Sequence, residues 1–333
     1  MDFRALRPMQ SIEAETECGV PQSRFARAPV RNRRRFLQGL AGIGLMHPLL
    51  GATRSTAVAS SLKVGAFKVT TFSDGYLTLP ATMAAPDRDA GERAAALEVS
   101  GVTMQSPLNV TLVETQQDRI VVDVGAGPHF METAGRLAES LESTGVDPES
   151  ITKVVYTHAH PDHIGGTVND FDELSFPNAK YFVGAAEWDF WMSKDILENL
   201  PDDRVAFGVG AQRNLKAVEE KLSRVKPGDE IVSGMAVLDT AGHTPGHISL
   251  ELGDARAAII VIGDALLHPV ISFRHPEWRP AMDHMPDEAV DTRKRLLAKL
   301  ASEQQNVVGY HLPTPGLGRV MKKGTAYEFV PLR

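Results

Sequence analysis

Four side chains able to bind a metal fall within six consecutive residues, in the run His158, Ala159, His160, Pro161, Asp162, His163. Imidazole and carboxylate together suit a divalent transition metal such as zinc, whereas a lone histidine would carry little information. The cluster follows the apolar run 151–156, which reads as a strand, and precedes Gly165 and Gly166, where the backbone can bend sharply. A strand giving way to a tight turn is where a rigid scaffold presents chemical groups.

Further ligand types recur downstream in the same kind of setting. His243 lies in the run Ala241, Gly242, His243, Thr244, Pro245, Gly246, His247, just after the apolar stretch 235–238. Asp264 follows the apolar stretch 257–263 in a Gly-Asp pair, and His311 ends the stretch 306–310. Seven candidate ligands at successive strand ends are enough for two metal ions.

In this order the motifs resemble those of the metallo-β-lactamase superfamily, across most of the chain from about residue 62 to 331. The resemblance implies an α/β fold: a four-layer αββα sandwich of two similar halves with the metals in a cleft at one edge. It implies that His158, His160 and His243 hold one divalent ion, that Asp162, His163 and His311 hold a second, and that Asp264 bridges them. Zn2+ is the expected metal, with Mn2+, Co2+ or Fe2+ as alternatives. The chemistry implied is attack by a metal-bridging hydroxide, with Asp162 and Asp264 as the catalytic carboxylates and Asp162 also accepting a proton. Asp123, at a strand end, is expected to orient a ligand histidine, and His247 to be structural rather than metal-binding. His129, His268, His275 and His284 default to pocket rim or surface.

Within the superfamily several branches fit poorly. Zinc β-lactamases lack a counterpart of Asp264 and in several subclasses use a cysteine ligand, but the single cysteine here is Cys18. Flavodiiron proteins usually carry glutamate where His160 stands, and no flavin domain follows. The closer local resemblance is to the methyl parathion hydrolase subgroup and its neighbouring lactonases and arylesterases. It is carried by Ser73-Asp74-Gly75, Val122-Asp123-Val124-Gly125, residues 157–166, Asp189-Phe190-Trp191, residues 242–247, Gly263-Asp264 and residues 327–331. That subgroup implies an ester, lactone or phosphotriester substrate and an aromatic-walled pocket, here at Phe130, Trp191 and Phe207. One departure is Leu267, where many acyl-homoserine lactonases carry a tyrosine three residues after the bridging aspartate. The alternatives are a glyoxalase-type thioester hydrolase and a non-catalytic metal-binding scaffold; a homodimer is compatible with the resemblance.

The chain has 333 residues, 43% of them apolar, but residues 1–59 differ in character from the rest. Arg33, Arg34, Arg35, Phe36 and Leu37 precede a modestly apolar run over 39–51, and Ala57, Val58 and Ala59 offer a small-residue cleavage site before Ser60. This resembles a bacterial twin-arginine export signal, which implies a mature hydrolase domain 60–333, the Tat export machinery as partner of the precursor, and a periplasmic or secreted location. Residues 1–59 hold 9 of the 35 basic and 4 of the 42 acidic residues, leaving 26 basic against 38 acidic and a formal charge of −12 from residue 60 on. A surface so acidic argues against nucleic acid as substrate, since phosphate binding relies on a basic footprint.

The pattern of apolar residues also predicts the supporting elements. A hairpin is expected over 62–79 about Ser73-Asp74-Gly75, a loop with a helical turn over 84–100, and paired strands at 108–115 and 119–124. Helices are expected over 129–145, 185–192, 209–223 and 287–301, and strands at 181–183, 231, 235–238, 248–252 and 257–262.

Overall fold

The computed structural model describes residues 60–97, 101–254 and 257–332. The expected export segment 1–59, with Arg33 to Arg35 and the Ala57 to Ala59 site, lies outside the described residues.

Two seven-stranded sheets form the centre of the fold. The first holds β1 (Ser60–Val64), β2 (Phe67–Pro80), β3 (Thr103–Glu114), β4 (Arg119–Val122), β5 (Lys153–Tyr156), β6 (Lys180–Gly184) and β7 (Leu222–Val225), in that spatial order. The second holds β8 (Glu230–Val232), β9 (Met235–Asp239), β10 (Ile248–Leu252), β11 (Ile259–Val261), β12 (Asn306–Val308), β13 (Leu317–Lys323) and β14 (Ala326–Pro331), likewise in sequence order. The helices are α1 (Ala90–Leu97), α2 (Leu137–Thr144), α3 (Pro161–Ile164), α4 (Ala185–Trp191), α5 (Ile196–Asn199), α6 (Val205–Ala217), α7 (Ile271–Arg274) and α8 (Pro286–Glu303).

Alternation along the strands decides which layer each residue joins. In β5, Val155 faces the second sheet, in a cluster with Val69, Ile120, Val237, Leu250 and Val261, while Val154 and Tyr156 face outward. The outward set of the first sheet packs with Leu141, Trp191, Ala211 and Leu215 of α2, α4 and α6. The outward residues Ile260, Val307 and Val320 of the second sheet are covered by Leu296, Leu297 and Leu300 of α8. Four layers result, two sheets face to face with helices outside each, as the resemblance implied.

Some expected elements shift, with identifiable causes. The turn of the first hairpin is at Gly65, and Ser73-Asp74-Gly75 is instead a bulge inside β2, where the register against β3 slips. Gly75 is required there: its φ is +99°, and a Cβ would come within 2.0 Å of Thr133 O. The bulge aims Asp74 into the protein, where Oδ2 accepts from the N–H groups of Ala126 (2.8 Å) and Gly135 (3.3 Å) and Oδ1 from Leu137 N–H (2.7 Å). Those bonds hold 129–136 as a loop, so the helix expected over 129–145 begins only at Leu137. The helix expected over 209–223 runs from Val205 to Ala217 and gives way to β7, which pairs in parallel with β6.

Candidate metal centre

All seven candidate ligands lie just beyond the C-terminal ends of strands, on one edge of the sandwich. His158 and His160 follow β5, and Pro161 then starts α3, which carries Asp162 and His163 in its first turn. The second sheet contributes His243 between β9 and β10, Asp264 after β11 and His311 after β12. The two halves of the molecule thus bring four and three ligands to one place.

The ligand atoms of His158, His160, His243 and Asp264 lie within 4.8 Å of one another, as do those of Asp162, His163 and His311. Asp264 links the two groups. Its Oδ2 is 3.2 Å from His243 Nε2 and 3.3 Å from His311 Nε2, and its Oδ1 is 3.1 Å from His163 Nε2. Asp162 Oδ2 is 3.2 Å from His311 Nε2, and His160 turns Nδ1 toward His243 Nε2 at 2.9 Å.

Whether these residues suit metal ions can be judged from what is left unsatisfied. His158 Nε2, His163 Nε2 and Asp264 Oδ1 are buried without a hydrogen-bond partner, a costly arrangement for polar atoms that a metal would relieve. Burial and the neighbouring His163 ring hold His158 well below the usual histidine range. Burial opposes charge on His243 and His311 too, but carboxylates outweigh it and raise them to about 9 and about 10. Buried carboxylates are here demanding positive charge, which divalent ions would supply in place of protons. The residues fit two such ions.

The ring nitrogens facing away from the centre are pinned by neighbours. His163 Nδ1 meets Asp123 Oδ2 at 2.8 Å, and Asp123 also accepts from the N–H and hydroxyl of Thr157. His243 Nδ1 meets Asp283 Oδ1 at 3.0 Å, and His311 Nδ1 lies 2.9 Å from both Ser106 Oγ and Pro107 O. His160 Nε2 lies 3.1 Å from His284 Nε2, so His284 is a ligand's neighbour rather than surface. Such contacts fix the tautomer and direction of a ligand ring.

Sequence reasoning passed over Glu187, the carboxylate that joins the two ligand loops. It is fully buried on α4 and accepts from Ala159 N–H (2.9 Å), Trp191 Nε1–H (2.6 Å), Thr244 Oγ–H (2.6 Å) and Gly246 N–H (3.1 Å). Gly246 has no room for a side chain, since a Cβ would stand 1.8 Å from Glu187 N. The available signal was a lone acid four residues before Trp191 in the apolar run Ala185-Ala186-Glu187-Trp188. Asp283 offered no comparable pattern.

Five of the seven ligands, His160, Asp162, His243, Asp264 and His311, form the polar floor of a cleft of about 760 Å3, counted with its open mouth. Its walls are apolar: Leu77, Leu79, Met83, Met104, Leu267 and Met282, with Phe130 and Phe207. Trp191 is not on this wall. It is 0% exposed, tied to Glu187, and sets its ring edge-on to His160 at 6.0 Å between centroids. Its position as a pocket residue is therefore corrected to core. His268 lines the cleft, whereas His275 stacks on Trp278 and His129 is exposed beside Asp170.

A sequence profile of the metallo-β-lactamase superfamily matches residues 105–311, and the chain belongs to that superfamily. The chain is 26% identical over 188 residues to an N-acyl homoserine lactonase of Bacillus sp., covering 49% of this chain and 64% of that protein. It therefore spans less than two thirds of that relative's length. Among solved structures it is similar to AidC, a dizinc quorum-quenching lactonase in complex with a product, N-hexanoyl-L-homoserine. That similarity has a TM-score of 0.78 at 29% identity and covers 84% of this chain and 98% of that one. The chain is also similar to AbOPH, described as a hydrolase in the beta lactamase superfamily, with a TM-score of 0.76 at 28% identity, covering 83% of this chain and 98% of the other.

Proposed function

We propose that the protein is a dinuclear metal-dependent hydrolase that opens lactones bearing an apolar acyl or aryl portion. The observation that carries this reading is the union of seven buried ligand side chains in two adjoining groups with an apolar cleft directly above them. Two divalent ions, most simply Zn2+, would supply Lewis acidity toward the carbonyl and a nucleophile competent at neutral pH.

The chain's own side chains do the rest. Asp123, Asp283 and the Ser106 and Pro107 oxygens hold His163, His243 and His311 in the orientation that turns Nε2 inward. Asp264 joins the two ligand groups, and Asp162, which reaches the cleft, is placed to accept the proton released on attack. Leu77, Met83, Phe130 and Phe207 exclude water from an apolar substituent, whose burial contributes roughly 25 cal/mol per Å2.

The relationship to a lactonase with bound product supports lactones as the first substrate class. The wide apolar wall, with Leu267 offering no phenol, extends the proposal to aryl esters and aryl phosphotriesters. A non-catalytic scaffold has no need of a cleft opening onto every ligand group.

The test is turnover by metal-loaded protein of lactones of graded acyl length, aryl esters and aryl phosphotriesters. Lactone opening that disappears with a chelator and returns with zinc, manganese or cobalt is expected. Failure to open any lactone at two metal equivalents overturns the lactonase proposal.

A further inference from the structure

We infer that Arg293 is a positioning residue that fastens a metal ligand and the roof of the substrate cleft to one guanidinium group. This inference rests on the metal-centre reading above. Arg293 projects from α8 and is 1% exposed, an unusual place for an obligate charge unless it is held by partners. Its Nη1 donates to Pro276 O and Trp278 O, each at 2.9 Å, and its Nη2 donates to Asp283 Oδ2 at 2.9 Å.

Asp283 divides its two oxygens. Oδ2 takes the guanidinium and Oδ1 faces His243 Nδ1 at 3.0 Å. A buried carboxylate is costly alone, and the permanent charge of Arg293 offsets that cost. Held as an acceptor, Asp283 fixes a proton on His243 Nδ1 and keeps Nε2 turned toward Asp264 and His160 as the atom that would bind a metal. Asp123, which orients His163, takes its other bonds from Thr157 in the same ligand loop. Asp283 differs because its anchor comes from α8, outside the loop that carries His243.

The same segment roofs the cleft. Pro280 and Met282 line it, and Ala281 N–H donates to Met83 O on the facing wall at 2.8 Å. His284 N–H and Met285 N–H then donate to His243 O and Gly242 O, each at 2.9 Å. The roof and the His243 loop are therefore laced together, and Arg293 grips the roof on both sides of the cleft-lining residues. Losing the guanidinium should disturb one metal and the substrate pocket together. Losing only the carboxylate should disturb the metal more than the pocket.

The experiment is cobalt(II) titration of the full protein followed by its visible absorption, with a chelator competing for metal, alongside KM for one lactone at saturating cobalt. Wild type, Arg293→Met, Arg293→Lys and Asp283→Asn are compared. One of two cobalt equivalents is expected to bind about 10- to 100-fold more weakly in Arg293→Met and Asp283→Asn, with Arg293→Lys between them and wild type. KM should rise at least about fivefold in Arg293→Met and distinctly less in Asp283→Asn. Unchanged binding of both cobalt ions in Asp283→Asn and Arg293→Lys overturns the inference, and these two variants decide it if Arg293→Met does not fold. Equal weakening of both ions also overturns it. Wild type that binds no cobalt overturns the metal-centre reading itself.

Discussion

The backbone N–H of Asp264 donates to Nε2 of His247 at 3.0 Å, while Nδ1 of the same ring lies 2.8 Å from Thr240 Oγ. The second histidine of the 243–247 run thus holds the main chain beneath the carboxylate that links the two ligand groups. Burial pushes His247 down to about 3, so the folded ring stays neutral. In the unfolded chain it titrates near 6.5. Between these values the unfolded state binds the additional proton, so the contribution of His247 is complete above about pH 6.5 and drains away as pH falls toward 3. His247→Gln has no proton to gain, and its Tm at matched metal content should fall less steeply than wild type from pH 7 to 4. Parallel slopes would contradict this assignment.

Metal content offers a direct check on the bridging role of Asp264. Fully active protein should contain close to two metal equivalents by elemental analysis. Asp264→Ala should lose metal and activity together, by about 100-fold or more in kcat/KM. Full activity at one equivalent would count against the bridge.

Glu187 accepts four hydrogen bonds from two ligand loops and the Trp191 indole. In Glu187→Gln an amide N–H2 must face a donor, which is expected to cost about 1–3 kcal/mol and to loosen His158, His160 and His243. Thermal denaturation and metal retention after dialysis should both decline. A variant with wild-type Tm would show that the network is dispensable.

Phe207 and Trp191 should behave differently although both lie near His160. Phe207→Ala, on the cleft wall, should raise KM about 5- to 10-fold for aryl or long-acyl substrates with metal content unchanged. Trp191→Phe, in the core, should lower stability by about 2–4 kcal/mol through the lost bond to Glu187, with KM little changed. Reversed behaviour of the two variants in steady-state kinetics would return Trp191 to the pocket wall.

Export by the twin-arginine route remains our proposal from the sequence of residues 1–59. Changing Arg33, Arg34 and Arg35 together to lysine should retain the precursor in the cytoplasm, and exported protein should begin near Ser60 on N-terminal sequencing. An intact Met1 terminus recovered from the periplasm would rule out the cleavage.

The ligand residues and their order were legible in the sequence because metal chemistry tolerates few side chains, and because four of them crowd into one strand-end turn at 158–163. The strands were legible for a similar local reason, as runs such as 248–252 carry their apolar pattern within a few residues. Asp123 could be assigned its supporting role because it also ends a strand.

Tertiary structure alone decided what depends on distant segments meeting. Asp74 reads as a turn residue, yet the bulge in β2 turns it inward to three amides of the 126–137 segment, which cancels the first turns of an expected helix. Trp191 reads from the sequence as cleft wall, and its place in the core follows from Glu187, whose other partners come from loops near 159 and 246. Arg293 and Asp283 lie ten residues apart, and only the packing of α8 beside the cleft roof sets one against the other and both behind His243. A side chain's type limits the chemistry it can do, but its partners, burial and direction are set by segments that periodicity along the chain does not bring together.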